Sequence, residues 1–185
     1  DMFFVENKLF ANVATTGKSV TQPAFIDLND YGFMYLNESD DDTWVYSFSY
    51  SSLTKDLLYL TCSDSEMRTD RVTRVTHIRP KKIYSMDLDF SNRKLLFETD
   101  KYEIWEARRL NKDNVIVLYG DSMLSSDRKV KIIDLTSKKE FDLAIENLTI
   151  GSIYPDKTGE NIYIWGERDG QFAIFEYSLK DKKIA

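Results

Sequence analysis

Acid, base or nucleophilic chemistry near neutral pH needs imidazole, thiolate, tuned carboxylates or a hydroxyl beside a base. His77 is the only histidine, which excludes a two-histidine metal site and leaves one imidazole. It lies in Arg74-Val75-Thr76-His77-Ile78-Arg79, where apolar and polar residues alternate, so an ordinary strand histidine is expected. Cys62 is the only cysteine; it excludes an internal disulfide and any multi-cysteine metal site. Its setting, Leu60-Thr61-Cys62-Ser63, suits a small buried hydrophobe. The run Glu38-Ser39-Asp40-Asp41-Asp42 offers hard oxygens to Ca²⁺, but it lacks the glycine and distal Glu of an EF-hand loop, and a solvated turn is expected. Gly17-Lys18-Ser19 lacks the upstream glycine of a phosphate loop, and no Gly-x-Ser-x-Gly elbow occurs. No catalytic residue, metal site or cofactor is expected from these patterns. Only a carboxylate pair of the glycosidase type is left open by counting.

The residues with most to offer a partner are aromatic. Trp44, Trp105 and Trp165 all fall in strand-like segments, the last two in the similar settings Glu103-Ile104-Trp105-Glu106 and Tyr163-Ile164-Trp165-Gly166. Such residues pack cores, or they anchor partners together with Arg. With Arg168 they form the candidate partner-binding set.

Charge narrows the partner further. The net charge of −6 and pI near 4.9 repel polyanions, so nucleic acid is not expected. The basic stretches 68–82 and 129–139 are interleaved with strand residues and read as solvated faces. No run of about 18 apolar residues occurs, so no membrane-spanning helix is expected. A single cysteine suits the reducing cytosol, the expected compartment ahead of a bacterial surface or periplasm. The first residue is Asp1, as expected where a leader has been removed or the sequence trimmed.

The elements that must position these residues are strands. The sequence is 42% hydrophobic and 14% aromatic, enough to build a core and rich in the flat and β-branched side chains that fit a pleated surface. Alternation recurs at Trp44–Tyr50, Lys82–Leu88, Val115–Tyr119, Val130–Leu135, Asn161–Trp165 and Phe172–Tyr177, predicting about a dozen strands. Residues 141–148 carry only a weak helical spacing. The chain also repeats. Tyr46–Tyr59 matches Tyr84–Phe97 at a shift of 38 residues, and Leu88, Leu135 and Leu179 end similar segments at shifts of 47 and 44. A period of about 40 to 50 residues with four short strands is what a propeller blade requires.

The segments Ile153-Tyr154-Pro155-Asp156-Lys157-Thr158-Gly159-Glu160-Asn161 and Glu167-Arg168-Asp169-Gly170-Gln171-Phe172 resemble the turns of tryptophan-aspartate (WD) repeats and YVTN-type blades. In such blades one turn joins the first two strands, a second "DG" turn leads into the third, and the third ends in an apolar residue plus an acid, as in Ile133-Asp134-Leu135. The resemblance implies an all-β fold, a β-propeller or part of one, with about four blade-like units of short antiparallel strands. The alternative is an up-and-down barrel or a sandwich. One β domain over 1–185 is expected, with units at roughly 20–62, 68–100, 101–144 and 149–185, and with residues 1–15 closing the last blade. The expected function is a non-enzymatic scaffold for a protein or peptide partner, with homo- or hetero-oligomers completing the propeller. The alternatives are a carbohydrate- or ligand-binding surface module, and the propeller domain of a hydrolase with carboxylate catalysis.

Overall fold

The computed structural model describes residues 2–14, 21–36, 43–63, 68–69, 72, 76–77, 80–121 and 126–184. The acidic run 38–42 and Gly17-Lys18-Ser19 lie outside them. Eighteen strands and no helix occur among the described residues. The first sheet holds β1 (Met2–Val5), β2 (Lys8–Ala14), β3 (Thr21–Asp27) and β4 (Phe33–Tyr35). The second holds β5 (Thr43–Ser51), β6 (Asp56–Ser63), β9 (Lys82–Met86) and β10 (Lys94–Glu98). Between β6 and β9 the chain makes a separate two-stranded ribbon, β7 (Arg68–Thr69) and β8 (Thr76–His77). The third sheet is β11 (Glu103–Arg109), β12 (Asn114–Gly120), β13 (Lys129–Asp134) and β14 (Glu140–Asp142). The fourth is β15 (Thr149–Pro155), β16 (Asn161–Arg168), β17 (Gln171–Ser178) and β18 (Lys183–Ile184). All pairings are antiparallel between neighbours in each sheet. Four separate sheets replace the alternative of one continuous barrel.

The sheets divide the chain at 2–35, 43–98, 103–142 and 149–184: the last two lie within the expected units 101–144 and 149–185, whereas the expected units 20–62 and 68–100 split the second sheet and cut into the first. The 38-residue shift had matched two hairpins of one sheet: Tyr46–Tyr59 spans β5 and β6, and Tyr84–Phe97 spans β9 and β10. The amino-terminal strands are likewise not a closing segment. β1 pairs with β2, β2 with β3, and the fourth sheet carries its own outer strand, β18. The shifts from Leu88 to Leu135 to Leu179 do track the repeat, because each leucine follows or closes a third strand.

The end of each third strand shows why the repeat exists. The Asp27 carboxylate accepts the Asn29 N–H at 2.9 Å, and Asp134 accepts those of Thr136 and Ser137 at 2.9 and 2.7 Å. In the fourth sheet, Ser178 Oγ accepts the Asp181 N–H at 3.2 Å. A short polar side chain thus bonds its own backbone and turns the chain without proline. The following leucine N–H donates to the turn joining the first two strands: Leu28 to Asn7, Leu135 to Asp113 and Leu179 to Glu160, at 2.7 to 3.0 Å.

The core lies between sheets. Val5, Phe10 and Phe25 meet Phe48, Leu57 and Tyr59 across the first and second sheets. Leu58, Leu60 and Ile83 meet Ile104, Val115 and Val117 across the second and third. Ile116, Leu118 and Val130 meet Ile150, Ile162 and Ile164 across the third and fourth. β6 and β12 are therefore buried on both faces, which is why they read as unbroken apolar runs. The first strands of the last three sheets share a bulge, at Val45/Ser47, Ile104/Glu106 and Ile150/Ser152. An extra residue there bends the strand and re-aims its side chains.

Candidate functional site at the shared end of the first strands

β1, β5, β11 and β15 deliver residues near their ends to one cavity of about 330 Å³, whose walls include Phe4, Tyr50, Leu53, Arg108, Arg109 and Tyr154. Its polar groups are held from both sides. Arg109 reaches from the third sheet to the second, donating Nη2 to Asp56 Oδ2 at 2.8 Å and Nε to the same oxygen at 3.3 Å. Thr54 Oγ1 donates to the other Asp56 oxygen. Arg108 lies over the Tyr154 ring, 5.1 Å from its centroid, and 3.7 Å from Glu106. Glu106 itself is occupied: its oxygens accept Ser152 Oγ at 2.7 and 2.8 Å, and one accepts the Ile153 N–H at 3.2 Å.

The rim of this cavity is shaped by the turn after β15. Asp156 accepts the N–H groups of Thr158, Gly159 and Glu160 at 3.0, 2.6 and 3.1 Å, and the Asn161 amide at 3.1 Å. Burial acts to raise the Asp156 carboxyl, but these hydrogen bonds outweigh it and hold the group below its ordinary range. Gly159 has φ +73°, and a Cβ there would sit 2.4 Å from the Leu110 carbonyl oxygen. Only glycine lets the turn seat against the third sheet in this way.

Titratable groups with larger perturbations lie apart from the cavity, on the third sheet. Lys131 sits between the Tyr102 and Tyr119 rings, 4.1 and 4.2 Å from their centroids, and pairs with Glu140 at 2.7 Å. Tyr102 donates to Glu140 at 2.9 Å and Tyr119 to Asp142 at 2.7 Å. Burial, then these carboxylates, push both phenols well above their ordinary value. Every member has a partner, so the cluster reads as a satisfied network, buried at Lys131, Tyr102 and Tyr119 and open to solvent at Asp142. Among the described residues no group of three His, Cys, Asp or Glu is placed to hold a metal ion.

Of the four residues expected to bind a partner, Trp105, Trp165 and Arg168, whose side chains are described, are not brought together. Trp44 pairs with Cys62 in β5, and its side chain lies outside the described part. Trp105 is half-buried between the third and fourth sheets, with Arg128 3.6 Å above its ring and its indole N–H unpartnered among protein groups. Trp165 is exposed on the open face of the fourth sheet, stacked on Phe172 at 5.5 Å. Arg168, three residues along β16, points to the opposite face, bonding the Asn147 carbonyl at 3.3 Å and covering Phe175. The cavity residues Arg108 and Arg109 were not singled out from the sequence. Their only signal there was a basic pair closing a strand that belongs to a repeat.

Among solved structures, the chain is similar to TolB from Acinetobacter baumannii, with a TM-score of 0.63 and 14% identity over 96% of this chain and 40% of that one. It is similar to the tricorn protease at TM-score 0.53 and 11% identity over 94% of this chain and 17% of that one. A third neighbour is an oligogalacturonate lyase in complex with manganese, at TM-score 0.50 and 12% identity over 96% of this chain and 61% of that one. These neighbours are propeller-type proteins built of four-stranded sheets. The four sheets are β-propeller blades. The chain spans less than two thirds of each neighbour's length. No family model and no curated protein matches the sequence. In blade terms, β1, β5, β11 and β15 are the first strands of four successive blades, and the cavity lies where those strands end.

Proposed function

We propose that these blades are a non-enzymatic scaffold that binds a protein or peptide at the cavity where the first strands end. The observation that carries this reading is the cavity's make-up: aromatic and aliphatic walls from four strands around two arginines held by Asp56 and Tyr154. Apolar walls with a few fixed polar groups suit a ligand, and Tyr and Arg are typical anchors at protein interfaces. Asp56 neutralises Arg109, but Arg108 stands 3.7 Å from a Glu106 that Ser152 and Ile153 already engage, so Arg108 is the lining cation left to meet an acidic group. The partner this favours is a segment with an apolar side chain beside an acidic one. Against a carboxylate hydrolase, both Glu106 oxygens are engaged, one by the Ser152 hydroxyl and the other by the Ile153 N–H. The turns at Asp156 and Asp169-Gly170 support placing the blades near the WD and YVTN types.

Panning a random heptapeptide phage library on the immobilised chain, then calorimetry of the enriched sequence, tests the reading. Sequences joining acidic and aromatic or aliphatic residues are expected. Arg108→Ser should weaken them about tenfold, or ~1.4 kcal/mol. Absence of enrichment, or equal binding by the variant, would count against it.

A further inference from the structure

At the opposite end of the first strands, where the chain enters β15, a second cavity of about 500 Å³ lies between the third and fourth blades. Arg128 lines it from the turn before β13, Asn147 from the connection into β15, and Arg168 from the end of β16. It shares no lining residue with the cavity at Arg108. Its two cations are held by rings and backbone. Arg128 lies 3.6 Å over the Trp105 ring and donates Nη1 to the Gly151 carbonyl at 3.1 Å and to the Ile150 carbonyl at 3.5 Å. Arg168 lies 4.8 Å over Phe175 and donates Nε to the Asn147 carbonyl at 3.3 Å. Among the described residues neither guanidinium is in an ion pair, unlike Arg109 and Lys131.

What these contacts leave uncommitted has a shape. Arg128 keeps Nε and Nη2, the side edge of its guanidinium, and Arg168 keeps Nη1 and Nη2, the end edge. Each edge is a pair of parallel N–H donors, the fork that an oxyanion accepts through two oxygens. Stacking holds both planes before any ligand arrives. Burial draws Arg128 below its ordinary value, so water solvates this cation poorly and an anionic partner gains accordingly. Three carboxylates share the lining and do not answer the arginines. Asp127 is 3.2 Å from Lys129. Glu167 pairs with Phe172 on the Trp165 face of β16, whereas Arg168 covers Phe175 on the other face. Asp169 is exposed in the turn after β16, where its charge opposes an anion.

We propose that this cavity binds the oxyanion head of a small ligand, a carboxylate or a phosphoryl group, between the Arg128 and Arg168 guanidiniums. Its volume is that of a small-molecule site and exceeds what the head alone fills, so the remainder holds the body of the ligand. The proposal goes beyond the peptide reading and is independent of it, because the residues differ and the two cavities lie at opposite ends of β11 and β15.

Trp105 reports on the site, because its ring lies under Arg128. Inorganic phosphate and malonate, each titrated into the chain at an ionic strength held constant with chloride, should change tryptophan emission saturably at a Kd of ~1 mM. Calorimetry of the same titrations covers an anion that leaves the emission unmoved. Saturation by phosphate alone marks a phosphoryl group, by malonate alone a carboxylate, and by both a site that reads the oxyanion itself. Arg168→Gln should weaken binding about tenfold, Asp169→Asn should tighten it, and Arg108→Ser should leave it unchanged. Arg128→Lys, which keeps the charge and loses the fork, serves in place of Arg168→Gln if that variant does not fold. Saturation by neither anion overturns the proposal. So does binding that survives Arg168→Gln and is lost with Arg108→Ser, which puts the anion in the other cavity.

Discussion

The Arg109 guanidinium and the Asp56 carboxylate meet at 2.8 Å across the second and third blades, with side chains only 8% and 16% exposed. Removing one partner of such a pair leaves the other charge without compensation. The two removals are not equivalent. Asp56→Ala strands a guanidinium whose Nη1 already has no partner, whereas Arg109→Met leaves a carboxylate still bonded by Thr54. Urea unfolding should show Asp56→Ala costing about 3 kcal/mol and Arg109→Met clearly less.

Gly151 and Trp165 form a second coupled pair. A Cβ on residue 151 would lie 2.0 Å from Trp165 Cε3, so the indole rests on bare backbone at the bulge. In the two preceding blades that bulge position carries Tyr46 and Trp105. Gly151→Ala should displace the indole and cost about 1–3 kcal/mol. In the Trp165→Leu background most of that cost should vanish, a non-additivity that a double-mutant cycle measures.

Among the described residues, the two glycines with positive φ separate strain from crowding. Gly170, at φ +77°, has open space around a built Cβ, whereas Gly159 faces the Leu110 carbonyl. Gly170→Ala should cost about 1 kcal/mol from backbone conformation alone. Gly159→Ala should cost more, because its clash is with backbone that no rotamer change relieves. Melting temperatures of the two variants give the comparison directly.

Stability should fall at both ends of the pH scale. Burial acts to raise the Glu140 carboxyl, but the Lys131 and Tyr102 hydrogen bonds outweigh it and hold the group below its ordinary range. A depressed carboxyl contributes stability above its unfolded pKa of about 4.3 and loses it as pH falls through the folded value. Tyr102 and Tyr119 are raised, chiefly by burial, so their contribution is present below about pH 10 and is lost on going more alkaline. Thermal melts of Glu140→Gln should lose part of the acid-side slope. Ultraviolet titration of the native chain should leave at least Tyr102 and Tyr119 un-ionised until it unfolds.

The propeller was legible because alternation, turn residues and spacing agreed over much of the chain. Ile133-Asp134-Leu135 exposed the third-strand ending, and Ile26-Asp27-Leu28 is the same ending in the first blade, one period earlier than the repeat was traced. That copy goes unread because residues 1–15 are given to the last blade and 26–28 fall inside the expected unit 20–62. The 38-residue match misled for a physical reason: two antiparallel hairpins of one sheet obey the same alternation as two hairpins of different sheets. The cavity was not legible, because Arg108, Tyr154 and Phe4 lie far apart in sequence and meet only where separate first strands end.

β12 sends Val115, Val117 and Tyr119 into one core and Ile116 and Leu118 into the next. Its amide protons are therefore guarded from both sides, and no opening confined to one terminal blade frees them. In hydrogen exchange they should be among the slowest in the chain, released only with global unfolding, while the outward strands of the first and fourth blades exchange by local fraying.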